Sequence, residues 1–241
     1  MDKPLVTIVL PTYNRGKTFL KEAVMSILNQ TYKNFELLII DDGSDITDKL
    51  ISSIKDNRIK YYKFEVNLGE YWVTNYGVSL ASGKYLTWVH SDDILPNNSL
   101  EIRVGALNNN SQLDFVHGDI LIVDEKNCEL EKKEATDLKD NSIFQIYLKN
   151  LSQGKMISTL VHHLTIMMKK NFFYKVGPFD CSLLYAGDVD WLIRAVRIGN
   201  FARIPQILYR YRKHPNTRRA LDPKNGIEVE TVHRLIASKY V

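Results

Sequence analysis

Short apolar segments alternate with segments of helical spacing through the first half of the chain, and this alternation constrains the fold most. Residues 6–10, 35–40, 59–64 and 85–89 are rich in apolar, β-branched or aromatic side chains. Such strands separated by helices predict an α/β fold whose parallel sheet is covered by helices on both faces. Ligands of these sheets bind at the carboxyl ends of the strands, so the polar turns found there are candidate sites.

The second half of the chain continues the pattern less regularly. Further predicted elements are helices at residues 67–83, 97–108 and 227–237 and strands at residues 115–123 and 204–211. Residues 124–140 are charged and poor in apolar side chains, which indicates a loop. No repeat, low-complexity tract or linker interrupts the sequence, so we expect a single domain over residues 1–241.

The bulk composition excludes several classes of protein. Of 241 residues, 32 are Lys or Arg and 28 are Asp or Glu, and the net charge of +4 is too small to indicate nucleic acid. Cys128 and Cys181 lack metal-binding spacing, and no stretch reaches the ~18 apolar residues of a membrane span. We therefore expect a cytoplasmic chain, with the basic residues 210–219 leaving peripheral contact with an anionic membrane open.

Three polar clusters directly follow predicted strands. They are Pro11-Thr12-Tyr13-Asn14-Arg15, Asp41-Asp42-Gly43-Ser44 and His90-Ser91-Asp92-Asp93. Each has a structural alternative, because the same residue types form turns and helix caps. Tyr13 suits stacking on a base. A single helix cap needs only one carboxylate, so the adjacent pair Asp92 and Asp93 favours a site for a hard divalent cation.

Two later clusters, at Asp188 and at residues 210–219, also allow both a structural and a functional interpretation. Asp188 begins a predicted helix, where acidic residues are favoured by the helix dipole, or it accepts a proton from an attacking hydroxyl. Residues 210–219 include His214 and are either a solvated basic surface or a diphosphate contact. His162 and His163 are adjacent rather than four apart, so we interpret them as strand-edge or core residues and not as metal ligands.

Taken in order, these fragments resemble the family 2 glycosyltransferases, which have the GT-A fold. That fold is Rossmann-like, with a mostly parallel sheet, helices on both faces and a small C-terminal extension on the acceptor side. Each fragment is weak alone, whereas their order and spacing together are specific. The matching segments are residues 7–15, 26–32, 35–44, 67–69, 75–77, 81–85, 91–93, 177–180, 187–191 and 209–214.

The resemblance implies a role for each half of the chain and for particular residues. Residues 1–112 would bind the nucleotide-sugar donor, and residues 113–241 would bind the acceptor and carry catalysis. Asp92 ends the family's DxD motif and would ligate Mg2+ or Mn2+ with His214, while Asp188 would be the general base. Donor contacts are expected from Pro11, Thr12, Tyr13, Arg15, Asp41, Asn67, Gly69, Asn75, Ser91 and Arg212.

The sequence departs from the family pattern at two positions. His90 stands where the first Asp of the DxD motif is expected, which leaves the metal to Asp92 and His214 and favours Mn2+ somewhat. Gly187 stands where a Glu usually precedes the base, which leaves Asp188 in place but changes its electrostatic surroundings.

The implied reaction is transfer of a sugar with inversion. The donor is a nucleotide sugar, with UDP-sugars favoured, and the acceptor is a glycan or a lipid-linked saccharide, as in bacterial surface polysaccharide synthesis. Residues 124–140 and 210–219 are candidates for closing over the donor. Two alternatives remain from the residues themselves: a nucleotidyltransferase, although no Gly-rich phosphate loop follows the first strand, and a non-catalytic nucleotide-binding scaffold.

Overall fold

The computed structural model of the protein describes residues 3–15, 17–45, 47–136, 141–153, 161–215 and 225–240. Strands and helices alternate regularly in the first half of the chain. The elements there are β1 (Val6–Thr12), α1 (Lys17–Leu28), β2 (Phe35–Asp41), α2 (Thr47–Ser53), β3 (Ile59–Lys63), α3 (Glu70–Ser79), β4 (Tyr85–Trp88) and α4 (Ser99–Asn109).

The second half is less regular and contains a 3-10 turn between two of its elements. The elements are β5 (Phe115–Val123), β6 (Glu129–Lys133), α5 (Asn141–Ser152), the turn (His163–Thr165), β7 (Met167–Lys169), α6 (Lys170–Val176), α7 (Gly187–Ile198), β8 (Phe201–Arg212) and α8 (Asn225–Ser238). Helix α8 packs against α5. Within the described ranges, no helix combines the length and apolar character needed to cross a bilayer.

The strands form one mostly parallel sheet. Its order is β3-β2-β1-β4-β7-β5-β6, and β8 pairs with β5 off this path. Strands β1 to β4 pair in parallel, as do β5 and β8, whereas β7 runs antiparallel to β4 and β5. Every residue of β1, β2, β4 and β5 is buried, as expected when helices cover both faces. The predicted α/β architecture is therefore confirmed.

The strand order reverses direction beside β1, and this reversal positions the site. The chain passes from β1 to β2 and β3 on one side and returns to β4 on the other. Thr12 at the end of β1 is in register with Asp41, and Val9 is in register with Trp88 of β4. The turns that follow these strands therefore meet at one edge of the sheet, at the point where an α/β sheet binds ligands.

Two sequence predictions were wrong in detail. Residues 124–140 are not simply a loop, because they include β6, which pairs antiparallel with β5. Its sequence, Glu-Leu-Glu-Lys-Lys, lacks the apolar pattern by which strands are recognised. This edge strand is mostly exposed and carries mainly charged residues. Helix α3 ends at Ser79, earlier than the predicted helix end at Gly83, and Leu80 is its C-terminal cap.

Candidate functional site

The acidic turn after β4 is fixed by β8. Asp93 is almost fully buried, and its Oδ1 accepts a hydrogen bond from the backbone N–H of Arg212 at 2.8 Å. Its Oδ2 accepts one from the hydroxyl of Tyr209 at 2.9 Å. Burial, and after it the charge of Asp92, raises the pKa of the Asp93 carboxyl. Ile94 also forms a bridge with Arg210, so the turn is held by both main chain and side chains.

Asp92 is the meeting point of three segments. Its Oδ2 lies 3.0 Å from Nε2 of His214, which follows β8, and 3.4 Å from Nε of Arg15, which follows β1. The His214 ring packs on Phe19 with 4.8 Å between centroids. In the part of the chain that the structure describes, the buried Nδ1 of His214 has no hydrogen-bond partner. The two metal ligands expected from the sequence are thus adjacent in space.

His90 links the acidic turn to the start of α3. Its Nε2 lies 2.9 Å from Oε1 of Glu70, and its Nδ1 lies 3.9 Å from Oδ2 of Asp93. Burial lowers the pKa of His90, but the carboxylates of Glu70, Asp93 and Asp92 outweigh burial and raise that pKa to about 9. The imidazole is therefore a cation among carboxylates at neutral pH. Glu70 has no signal in the sequence beyond its place in the first turn of α3.

The donor set of this turn suits a hard divalent cation. One ligand atom each of His90, Asp92 and Asp93 lie within 4.8 Å of one another. Carboxylate oxygens are the ligands that such ions prefer. Both nitrogens of His90 already face carboxylates, whereas His214 turns its Nε2 to Asp92 and, in the described part of the chain, has no partner at Nδ1. Asp92 and His214 therefore fit a metal better than His90 does.

A second polar group surrounds Asp188, in the first turn of α7. Its Oδ1 accepts a hydrogen bond from the hydroxyl of Tyr71 at 3.2 Å, and its Oδ2 lies 3.0 Å from Nδ1 of His163. The rings of His163 and His90 lie 6.0 Å apart, which brings Asp188 close to the acidic turn. The side chain of Asp188 remains about a quarter exposed and can be reached from solvent.

The interpretation of the histidine pair was only half right. His162 is buried, as expected of a core residue, and burial together with His163 and His117 lowers its pKa to about 4. His163 instead begins the 3-10 turn and contacts Asp188. Sequence spacing missed it because the contact joins His163, in a 3-10 turn, to a residue of a distant helix.

The turns expected to hold the nucleotide are tied together by carboxylates. Asp41 is fully buried and accepts hydrogen bonds from the backbone N–H of Ser44 at 2.9 Å and from the Tyr61 hydroxyl at 2.6 Å. Asp42 accepts from the N–H groups of Leu68 and Gly69 at 2.6 and 3.0 Å. Burial is the largest cause that raises the pKa of Asp42. The turn after β2 thereby fixes the start of α3.

Around those turns, some candidate residues are open and others are packed. Tyr13 is 48% exposed, so its ring is available for stacking. Asn67 is also exposed, and Gly69 has a φ of +97°, which favours glycine. Among the described residues, the buried hydroxyl of Thr12 has no hydrogen-bond partner, and Pro11 beside it is buried.

Arg212 is held in a structural position. Its guanidinium is fully buried, lies 4.6 Å over the Phe19 ring, pairs with Glu22 and donates to the backbone oxygen of Glu125. Its backbone N–H supports Asp93. A direct contact between this guanidinium and a diphosphate stays a prediction, and it requires the side chain to leave these partners.

Two other candidate residues are also packed into the structure. Asn75 donates to the backbone oxygen of Phe179 at 2.9 Å and accepts from its N–H at 3.0 Å. This pair ties α3 to the segment that leads into α7. Ser91 is buried within the acidic turn. Contact of either residue with a donor stays a prediction.

Comparison with known proteins identifies relatives along most of the chain. The model for glycosyl transferase family 2 matches residues 7–176. The chain is 34% identical over 214 residues to an uncharacterized glycosyltransferase of Haemophilus influenzae, covering 82% of each. It is 32% identical over 223 residues to one of Rickettsia conorii, covering 88% of this chain and 36% of the relative. It spans 30 to 64% of the length of five Rickettsia relatives.

Solved structures share the fold. The structure of residues 1–349 of S. aureus TarS in complex with UDP-GlcNAc matches with a TM-score of 0.70 at 18% identity, covering 96% of this chain and 66% of that one. A longer TarS structure matches with a TM-score of 0.65 at 19% identity, covering 87% of this chain and 37% of that one. This likeness confirms the expected GT-A architecture, a mostly parallel sheet with helices on both faces.

Proposed function

Because this chain belongs to glycosyl transferase family 2, we propose that it transfers a sugar from a nucleotide-sugar donor to an acceptor hydroxyl beside Asp188. The observation that chiefly supports this proposal is the convergence of two groups at one sheet edge. One is the acidic turn with Asp92, and the other is the partly exposed carboxylate of Asp188; the rings of His90 and His163, 6.0 Å apart, lie between them.

A UDP-sugar is the favoured donor. TarS, which shares the fold, has been crystallised with UDP and with UDP-GlcNAc. In this chain Thr12 and Tyr13 follow β1, and Asp41 ends the neighbouring β2. We assign the base to the exposed ring of Tyr13 and the base or ribose to Asp41, with the unpartnered hydroxyl of Thr12 as a further donor or acceptor.

The diphosphate belongs beside Asp92. We assign Asp92 and His214 as the ligands of Mn2+ or Mg2+, since their contact atoms lie together and the carboxylate suits a hard cation. Such an ion, when bound, supplies positive charge to the leaving diphosphate. Arg15, 3.4 Å from Asp92, adds a guanidinium to the same place.

Asp188 is assigned the role of general base. It takes the proton of the acceptor hydroxyl as that oxygen forms a bond with the anomeric carbon. The bond between this carbon and the diphosphate oxygen breaks, and its electron pair leaves with the nucleoside diphosphate. Attack from the face opposite the leaving group gives inversion. The base Asp188 and the proposed diphosphate ligand Asp92 lie on separate segments, and this arrangement suits the in-line geometry.

The acceptor is proposed only as a class. A glycan or a lipid-linked saccharide, as in bacterial surface polysaccharide synthesis, agrees with the family. Action at the cytoplasmic face of a membrane agrees with a chain whose described helices include no span. Of the basic residues 210–219, the exposed Lys213 would then approach anionic lipid, whereas Arg212 and His214 are buried and residues 216–219 lie outside the described ranges.

A thermal-shift screen tests the donor site. Nucleoside diphosphates are added with Mn2+, with Mg2+ or with a chelator to the wild type, to Asp92→Ala and to the surface control Glu131→Ala. A ligand at ~100 times its Kd stabilises by about 2.7 kcal/mol, which raises Tm by about 5–10 °C at this chain length. We expect a metal-dependent shift with UDP that Asp92→Ala loses and Glu131→Ala keeps.

Product analysis completes the test. Incubation of the wild type with UDP-sugars should release UDP, slowly with water as acceptor and faster with a suitable saccharide. Nucleotide binding with no release of UDP from any nucleotide sugar would contradict catalysis and favour a binding scaffold. Release of pyrophosphate from nucleoside triphosphates would favour a nucleotidyltransferase instead.

A further inference from the structure

Gly187 is the position at which this chain departs from the family next to its proposed base, and its surroundings explain the glycine. The ring of Tyr71 from α3 lies directly over it. A Cβ added at residue 187 would come within 2.7 Å of Cε2 of Tyr71 and within 2.9 Å of Cδ2 and Cζ. Any side chain there would displace the Tyr71 ring, because atoms do not approach this closely. Glycine at 187 and tyrosine at 71 are therefore a matched pair.

The hydroxyl of Tyr71 is held at both of its hydrogen-bonding sides. It accepts the backbone N–H of Gly187 at 3.0 Å and donates to Oδ1 of Asp188 at 3.2 Å. Burial, and then the charges of Asp188 and Glu70, raises the pKa of Tyr71 well above its ordinary value, so the hydroxyl keeps its proton. The ring also stacks on Phe179 with 5.7 Å between centroids, which limits its rotation.

His163 holds the other oxygen of the same carboxylate. Its Nδ1 lies 3.0 Å from Oδ2 of Asp188, and burial is the largest cause that lowers the pKa of this imidazole. A neutral imidazole beside a carboxylate carries its proton on the nitrogen that faces it. The 3-10 turn that presents His163 is itself anchored, since the Thr165 hydroxyl donates to the His162 oxygen at 2.7 Å and accepts from the N–H of Gly118 at 3.0 Å.

We propose that Tyr71 and His163 are positioning residues that hold both carboxylate oxygens of Asp188 toward the acceptor, and that residue 187 is glycine in order to admit Tyr71. This inference rests on the proposed function, since it concerns the base of that reaction. Each carboxylate oxygen accepts one fixed hydrogen bond and keeps a lone pair for the incoming hydroxyl. The two donors come from α3 and from the 3-10 turn, so the carboxylate of α7 is oriented from outside its own helix. A base held in this way rarely occupies rotamers that cannot reach the acceptor hydroxyl.

Steady-state kinetics of four variants test the inference. The substrate is the UDP-sugar that the wild type turns over fastest in a panel that includes UDP-GlcNAc, and UDP release is measured. Tyr71→Phe keeps the ring and removes only the hydroxyl, and His163→Ala removes the imidazole. His163→Asn restores an N–H close to the place of Nδ1. The control Tyr174→Phe changes a tyrosine that is 58% exposed on α6.

We expect kcat to fall by about 10- to 100-fold in Tyr71→Phe and in His163→Ala, with the donor KM changed by less than about threefold. His163→Asn should regain most of the loss, and Tyr174→Phe should match the wild type. A purely structural role would move stability and KM together and would not be rescued by Asn.

The contrary outcomes separate two failures. If the wild type releases UDP while Tyr71→Phe and His163→Ala retain its kcat, the positioning role is overturned and the proposed function stands. If His163→Asn is as slow as His163→Ala, donation from Nδ1 is overturned. A folded wild type that turns over no nucleotide sugar overturns the proposed function, and with it the inference.

Discussion

His214 and Asp92 are 122 positions apart in the chain, yet Nε2 of the one lies 3.0 Å from Oδ2 of the other. The contact joins the segment after β8 to the turn after β4. Both residues are buried, and the His214 ring packs against Phe19 of α1. The contact is therefore part of the packed edge of the sheet. The protein therefore presents a carboxylate and an imidazole together at the place where the diphosphate is proposed to bind.

Replacing His214 should weaken metal-dependent nucleotide binding. If the imidazole is a ligand or orients Asp92, His214→Ala should weaken the affinity for UDP in Mn2+ by on the order of 10- to 100-fold. Titration calorimetry with Mn2+ and with a chelator measures the difference. Lys213→Ala, at the exposed neighbouring position, is the matched control. Equal affinities of His214→Ala and the wild type in Mn2+ would rule out the assignment.

Replacing Asp188 should slow turnover and spare donor binding. Asp188→Asn keeps the size of the side chain and removes the proton acceptor, so kcat should fall by about 10²- to 10⁴-fold. The UDP-induced thermal shift should stay as in the wild type, because the assigned donor contacts lie elsewhere. Glu131→Gln on the exposed strand β6 serves as control. Near-normal turnover of Asp188→Asn would show that another group is the base.

The ion pair of His90 and Glu70 should make stability depend on pH. The pKa of His90 is raised to about 9 in the folded protein, above its ordinary value, chiefly by Glu70 against the effect of burial. A raised histidine pKa stabilises fully below pH ~6.5, and this contribution is lost as pH rises through about 9. Asp92 and Asp93 also face this imidazole and are present in both proteins to be compared.

Thermal unfolding of the wild type and Glu70→Gln between pH 6.5 and 9.5 measures this contribution. For a pair that is partly exposed we expect about 1 kcal/mol. The Tm of the wild type should therefore fall by about 2–4 °C more than that of Glu70→Gln over this range. Parallel Tm curves would mean that Glu70 does not stabilise the protonated imidazole.

Adding a methyl group at residue 187 should destabilise the fold through Tyr71. Gly187→Ala should lower the free energy of unfolding by about 1–3 kcal/mol, because the ring 2.7 Å away must shift. Gly105→Ala in α4 is the control, since a Cβ there meets nothing within 4 Å, and it should stabilise by about 0.5–1 kcal/mol.

A double variant isolates the cause of that loss. In a Tyr71→Ala background the space over residue 187 is open, so Gly187→Ala should cost little or nothing in urea unfolding. A loss as large as in the wild-type background would show that the methyl group conflicts with something other than the Tyr71 ring.

Much of the fold could be predicted because it follows from local patterns. The strands β1, β2 and β5 are mostly apolar, and such strands are buried on both faces of a parallel sheet covered by helices. Strand β6 could not be found in this way. Its charged residues carry no apolar signal, and its pairing with β5 supplies the hydrogen bonds that make it a strand.

The sequence by itself determined the alternation of strands and helices and the polar turns at the strand ends, and it is enough to predict Asp92, His214 and Asp188 as candidate site residues. These are properties of neighbouring residues, which the order of side chains expresses directly. Only the tertiary structure decided that His163 and Tyr71 share the two oxygens of Asp188, that Glu70 pairs with His90, and that the Arg212 guanidinium is buried. The physical reason is distance along the chain: Tyr71 and Asp188 are 117 positions apart, and packing of α3 against the start of α7 is what joins them.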